Sequence, residues 1–185
     1  MTISETSVDG AFVIDLDHLG DERGFFARVF CQHAFEERGL VTAFVQVNNS
    51  LSALKGTLRG MHCQLAPAAE VKMVRCIRGA LYDVALDLRA ESPTFRQSFG
   101  TTLSADNRRM MYLPKGCAHG FITLVDDTEA FYFVDEFYCP KLERGVRWND
   151  PAFNIQWPIE PTVISDKDQQ HPDFHPERRL TNMTS

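Results

Sequence analysis

The sequence has no apolar run near the ~18 residues of a membrane-spanning helix, no C-x-x-C pair, no internal repeat, no low-complexity tract and no excess of basic charge. Each absence removes a class of protein. With no long apolar run there is no spanning helix to place. The opening "MTISETSVDG" is polar and lacks the basic-then-apolar order of a secretory signal, so a cytoplasmic protein without membrane contact is expected. The 5 cysteines are odd in number and widely spaced, unlike a disulfide framework or a structural zinc site. Cys31, Cys76 and Cys139 read as small buried hydrophobes. Cys63 and Cys117 each lie near a histidine, where a nucleophilic thiolate is the alternative use. A formal net charge of -6 argues against a nucleic-acid binder held by phosphate contacts. A small anionic ligand needs only a local basic cluster.

What is present is mostly strand. With 44% apolar and 24% charged residues, 185 residues suffice for one well-filled core. Short runs rich in Val, Phe, Tyr and Leu recur between turn residues: "AFVIDL", "GFFARVF", "AFVQVNNS", "VKMVRCIRG", "ALYDVALDLR", "SFGTTLS", "RMMYLPKG", "GFITLVDD" and "EAFYFVDEFY". Such spacing predicts a sandwich or barrel rather than βαβ units. In "ALYDVALDLR", Leu81, Asp83 and Ala85 fall on one face and Tyr82, Val84 and Leu86 on the other. Only "CQHAFEERGL" reads as a helix, anchored by Phe35 and stopped at Gly39. The expectation is one all-β jelly-roll domain over residues 1–185, its tail from about 170 to 185 peripheral because apolar periodicity lapses there.

The reactive residues begin in "LRGMHCQL", where Arg59, His62 and Gln64 share a strand with Gly60. A lone strand histidine is more often a hydrogen-bonded structural group than a catalyst. Here Arg59 precedes it by three residues and Lys72 opens the next strand, so an imidazole, an ammonium and a guanidinium can meet at one mouth. His119 sits between Gly116 and Gly120, read evenly as a turn histidine or a ligand contact. Neither histidine belongs to an H-x-H pair, so the metal signal is weak. Strand alternation puts Tyr132 and Tyr138 on one face, as half-buried fillers or as an acid and a stacking platform. Glu143, Arg144 and Arg147 follow in what reads equally as a solvated turn.

In order along residues 20 to 168 stand "GDERGFF", "FVQVNNS", "LRGMHCQ", "EVKMVRCIRGALYDVALDLRAESPTF", "LSADNRRMMYLPKGCAHGF", "FYFVDEFYCPKLERGVRWNDP" and "ISDKD". This series closely resembles the dTDP-4-dehydrorhamnose 3,5-epimerase family, nucleotide-sugar epimerases of cupin-like jelly-roll fold. The resemblance implies cofactor-independent, metal-free epimerisation of a nucleoside-diphosphate 4-keto-6-deoxy sugar at the carbons beside the ketone. It implies His62 as the base, Asp168 as its dyad partner, Lys72 facing the oxygen at C-4 and Tyr132 as the acid on the opposite side. Arg59 and His119 would hold diphosphate and sugar, with Gln46 and Asn48 lining the site. Tyr138 would stack on the nucleobase and Glu143 would contact the nucleotide, while Arg23 would reach the substrate of the other subunit of a homodimer. The residue types suit the reaction. Imidazole, with an ordinary pKa of ~6.5, is a good base at cellular pH. A cation beside a nascent enolate lowers the barrier. Inversion requires proton removal and return on opposite faces.

The match departs from the family in places. Arg28 stands where the family usually has a glutamate near the nucleotide, which leaves the nucleobase open. Phe133 follows Tyr132 where a lysine is common, and alternation turns it away from the site. Cys63 and Cys117 replace aromatic residues. Alternatives to the 3,5-epimerase are a mono-epimerase, an epimerase of another nucleotide sugar such as a GDP- or CDP-linked one, a metal-dependent cupin, or a non-catalytic sugar-binding cupin.

Overall fold

The computed structural model describes residues 1–175. In chain order its elements are β1 (Thr2–Glu5), β2 (Phe12–Asp15), β3 (Leu19–Asp21), β4 (Gly24–Phe26), α1 (Gln32–Glu36), β5 (Gln46–Ser52), β6 (Thr57–Gln64), β7 (Lys72–Arg78), β8 (Ala80–Asp87), β9 (Ser98–Ser104), β10 (Met110–Leu113), β11 (Cys117–Thr123), β12 (Thr128–Val134), β13 (Glu143–Gly145), β14 (Val163–Ile164) and α2 (Asp166–Gln169). The first sheet runs β1-β2-β10-β7-β12-β5; the second runs β13-β6-β11-β8-β9, with β14 beside β6. Hairpin β3–β4 stands apart from both. This is the all-β, cupin-like jelly roll that the strand pattern and the resemblance lead one to expect.

The two sheets enclose the first core. Val74, Cys76 and Ala130 of one sheet meet Leu81, Ala85 and Phe121 of the other, with Leu103 and Met111. The alternation in β8 holds: Leu81 and Ala85 point into this core, while Val84 and Leu86 point outward. The outward set is equally buried, because Val146, Phe153 and Phe174 cover it. On the outer side of the first sheet Ile14, Met73 and Met110 receive Phe35. Burying a side chain such as Phe35 contributes about 2 kcal/mol, which anchors a five-residue helix too short to persist by itself.

Several elements differ from expectation. "EAFYFVDEFY" is strand only to Val134. Beyond it carboxylates take up backbone donors, Asp135 Oδ1 from Val71 N at 2.6 Å and Glu136 Oε1 from Phe137 N at 2.9 Å, which ends the ladder. "GFFARVF" is strand only through Phe26. Strands β1, β13 and β14 and helix α2 lack a readable period because each spans only two to four residues. They exist by pairing with, or docking on, longer neighbours. The tail also differs. Phe174 is buried, packs on Phe153 with ring centroids 5.0 Å apart and donates its N–H to Asp150 Oδ2 at 2.6 Å. Phe174 and the half-buried His171 therefore pack on the domain, while 176–185 lie outside the described residues.

Candidate active site

A cleft opens between the two sheets. One cavity of about 480 Å³ is lined by His62, Lys72, Tyr132, Arg59, His119 and Asp168. A second, also about 480 Å³, shares His62, Lys72 and Tyr132 and continues to Gln46, Asn48, Tyr138 and Glu143. The three shared residues join the two into one site.

Sheet register explains the first wall. Tyr132 lies opposite Asn48 on one side and Val74 on the other, and Val134 lies opposite Gln46 and Lys72. Alternation therefore sends Gln46, Asn48, Lys72 and Tyr132 to the inner face together. It sends Phe133 outward, onto Phe44 at 5.6 Å. The facing wall needs an irregularity. Residues three apart on a regular strand point to opposite faces, yet Arg59 and His62 both line the cleft. The ladder with β11 pairs His119 with His62 but Phe121 with Arg59, so β6 spends one more residue than its partner. That bulge turns Met61 to the outer core and returns His62 to the inside. Glycines make it possible. Gly60 has φ +117, and a Cβ there would stand 2.6 Å from Gly120 Cα.

Asp168 comes from 106 residues away. β14 pairs in parallel with Thr57 and Leu58, laying the following chain beside β6. Ser165 caps α2 by accepting from Asp168 N at 3.2 Å. The Asp168 carboxylate then meets His62 Nε2 at 2.6 Å and accepts from Gly60 N at 3.1 Å. Burial raises the Asp168 carboxyl, but the His171 and His62 imidazoles and the Gly60 N–H outweigh it and hold the group well below the usual carboxylate range. An ionised carboxylate only accepts. The His62 nitrogen facing it therefore carries a proton, and in the neutral imidazole the lone pair lies on the other ring nitrogen. Two ligands of one zinc ion with bonds of about 2.1 Å stand more than ~3 Å apart. The 2.6 Å contact has the geometry of a proton-sharing pair.

Across the cleft, Lys72 Nζ lies 3.0 Å from Glu70 Oε1, both nearly buried. At the outer end the Tyr138 hydroxyl donates to Glu143 Oε2 at 2.7 Å, and Lys167 donates to the same oxygen at 2.7 Å. The bond to Glu143 pushes the Tyr138 phenol up. Burial raises Glu143, and the bonds from Lys167 and Tyr138 bring it below its ordinary value. The Tyr138 ring is 58% exposed, free to receive a flat ligand. Arg59 is held by Ser52 Oγ at 3.1 Å and Leu51 O at 3.2 Å.

Two expected residues are not in the cleft of this chain. Arg23 sits at the tip of the β3–β4 hairpin, exposed and bonded to Asp21. Arg28 lines a separate hollow with Asp17, Phe26 and Cys31. The alternative use of the cysteines also fails. Burial pushes Cys63 up to about 11 and Cys117 up to about 12, so neither is a ready thiolate at neutral pH. Cys76 is buried as its apolar setting suggests, whereas Cys31 and Cys139 are only partly covered.

Four neighbours of the site drew no role from the sequence. Asp83 is fully buried and meets His119 Nε2 at 2.7 Å. Its signal was a charge at a core register, between Leu81 and Ala85. Gln64 is buried as well and ties the rim. It accepts from Cys139 N at 2.6 Å and donates to Phe137 O and Glu70 Oε2, both at 3.2 Å. Glu70, in an irregular connection, gave no signal. His171 stands three residues after Asp168, just past the end of α2, a placement visible only once that helix is known to exist.

A family model described as dTDP-4-dehydrorhamnose 3,5-epimerase matches residues 5–176. The dTDP-4-dehydrorhamnose 3,5-epimerase of Shigella flexneri is 45% identical over 169 residues, 91% of this chain and 93% of that protein. Among solved structures, dTDP-4-dehydrorhamnose 3,5-epimerase from Bacillus anthracis with TDP and PPi bound aligns with a TM-score of 0.89 at 44% identity, covering 94% of this chain and 99% of that one. The dTDP-6-deoxy-D-glucose-3,5-epimerase of Legionella pneumophila in complex with dTDP-4-keto-L-rhamnose aligns with a TM-score of 0.83 at 39% identity, covering 90% and 89%.

Proposed function

The chain belongs to the dTDP-4-dehydrorhamnose 3,5-epimerase family, and on that premise we propose that it inverts C-3 and C-5 of dTDP-4-dehydro-6-deoxy-D-glucose to give dTDP-4-dehydro-L-rhamnose. The carrying observation is that a histidine of one sheet, backed by an aspartate from α2, and a tyrosine beside a lysine on the other sheet line the same cleft.

That placement supports each step of the reading. The free ring nitrogen of His62 takes the proton from the carbon next to the ketone. The electron pair moves onto the ketone oxygen, where the Lys72 ammonium balances the charge. Removing such a stabiliser commonly costs ~3 kcal/mol or more of the barrier. Tyr132, on the facing wall, returns a proton to the other side of the planar enolate, which inverts the centre. Asp168 keeps the base in the required tautomer and balances the imidazolium that forms. Arg59 and His119 hold the sugar and diphosphate, with Gln46 and Asn48 lining the wall between. Tyr138 and Glu143 at the outer end take the nucleoside. No step calls on a metal or cofactor.

A second copy of the chain completes the assembly in this reading. Hairpin β3–β4 projects from the sandwich with Leu19 70% and Phe26 62% exposed, and edge strand β5 shows Val47 and Leu51 half-exposed. Apolar surface of that kind beside an unpaired edge is usually covered. A partner would cover it in a homodimer, with Arg23 and Arg28 acting toward the neighbouring cleft. Five unpaired thiols suit a reducing cytoplasm, and among the described residues no helix is long and apolar enough to cross a membrane.

The test is NMR of dTDP-4-keto-6-deoxyglucose with enzyme in deuterated buffer. Deuterium at both C-3 and C-5 is expected; at one carbon only it would reveal a mono-epimerase. Incorporation at neither, by folded protein, would overturn the substrate assignment and direct attention to other nucleotide sugars. With Tyr132→Phe, exchange should persist while inversion is suppressed.

A further inference from the structure

Behind the His62–Asp168 pair lies a third group with no assigned work. The His171 side chain is 12% exposed, and its Nε2 is 3.7 Å from the same Asp168 oxygen that bonds His62. The nitrogen is buried and has no hydrogen-bond partner. A buried polar atom left unpaired is costly, so its retention points to a use. The ring is not there by default. It lies over Gly145, where any Cβ would collide with its Nε2, so the strand paired with His62 carries no side chain at the point where the imidazole sits. The rings of His62 and His171 stand 5.9 Å apart and nearly perpendicular, with Asp168 bridging them.

We propose that His171 is a positioning residue. Its Nε2–H is aimed at Asp168 and closes onto the carboxylate as His62 takes up a proton, so Asp168 is shared between two imidazoles and its pull on the base is moderated. The inference rests on His62 being the base and Asp168 its partner. Catalytic hydrogen bonds are often long in the free enzyme and tighten in the complex, and 3.7 Å is within reach of a small side-chain rotation. The consequence is a matter of sign. A donor on Asp168 draws off part of the negative charge that His62 feels. Without that donor the imidazolium is better stabilised, the base holds its proton to higher pH, and activity on the acid side falls. The other titratable or charged groups lining the cleft around His62 are Lys72 from β7, Glu70 from the connection before it, Tyr132 from β12, Tyr138 beyond that strand, Glu143 from β13, His119 from β11, Lys167 from α2, and Arg59 and Cys63 from its own strand. None of them changes when residue 171 is replaced.

The experiment is the pH profile of kcat/KM for wild type, His171→Leu, which removes the donor, and His171→Gln, which keeps one at similar reach. The acidic limb of His171→Leu should move up by about half to one pH unit, the scale on which a neighbouring donor acts, with the plateau at high pH lowered less than threefold. His171→Gln should keep the wild-type limb. An unmoved limb in His171→Leu, or the same displacement in both variants, would overturn the proposal. Should His171→Leu not fold, nitrogen-15 NMR of the wild-type imidazoles decides. His171 protonated at Nε2 supports the donor, and protonation at Nδ1 alone refutes it. His62→Ala, assayed by deuterium exchange, tests the underlying reading separately. Retained exchange there would sink the dyad whatever His171 does.

Discussion

The cleft holds two His–Asp pairs of nearly equal length, His62–Asp168 at 2.6 Å and His119–Asp83 at 2.7 Å, in unlike surroundings. His119 and Asp83 come from adjacent strands, with side chains 10% and 0% exposed. His62 is 28% exposed, and its aspartate arrives from a distant segment. The aspartates differ most. Asp168 has the Gly60 N–H on one oxygen and two imidazoles facing the other. Asp83 spends one oxygen on His119 and leaves Oδ2 buried without a partner. The same residue pair thus makes two devices. One is a partly exposed imidazole backed by a buried, well-hydrogen-bonded carboxylate, which suits the proton transfer proposed for it. The other is a rigid imidazole pinned for contact. In the proposed mechanism, proton-transfer competence is set by what surrounds the carboxylate, not by the pair itself.

The sharpest way to break this contrast is one substitution made in both places. Asp168→Asn puts an amide where the proposed base needs an acceptor and favours the wrong His62 tautomer. Turnover should fall by roughly 10²–10⁴, the range of a general-base contribution, with deuterium exchange lost in parallel. Asp83→Asn should act chiefly through binding. KM is expected to rise several-fold while kcat stays within about tenfold, read from separate initial-rate measurements. Equal losses of kcat at the two sites would erase the distinction drawn between the pairs. A smaller effect concerns stability. Because the Asp168 carboxyl is held below its ordinary range, the stability it contributes is present above the unfolded carboxylate value of about 4 and disappears as pH falls through the folded value. Denaturant midpoints of wild type and Asp168→Asn should therefore differ at pH 7, with the gap beginning to narrow only below about pH 4. Asp87 keeps part of the acid sensitivity in both proteins. Burial raises its carboxyl, while bonds from Arg89, Ser92 and Thr94 bring it down to about 2. A pH-independent gap would show that the asparagine acts through packing alone.

The alternating strands were legible residue by residue. β8 shows its two faces in the order read from "ALYDVALDLR", and the inward setting of Tyr132 with the outward setting of Phe133 follows from period two. Phe35 marked the one helix with a readable pattern, because a lone aromatic in a polar run shows which face must dock. The Tyr138 prediction fails in detail. The strand ends at Val134, so the two tyrosines meet around a rim and not along one face. Asp135 and Glu136 stop the ladder through hydrogen bonds that no periodicity records.

Local sequence determined the strands, the all-β class and the kinds of reactive group available, since burial alternation and turn chemistry act over a few residues. It also carried the family motifs, from which the roles of His62, Lys72, Tyr132 and Asp168 were inferred. Tertiary structure decided which groups can meet. A one-residue bulge, permitted by Gly60 against Gly120, turns His62 to the same side as Arg59. A two-residue strand, β14, delivers Asp168 and with it His171. Both features depend on contacts between segments far apart in the chain, where closing the loop and filling the core fix a register that neither segment specifies alone.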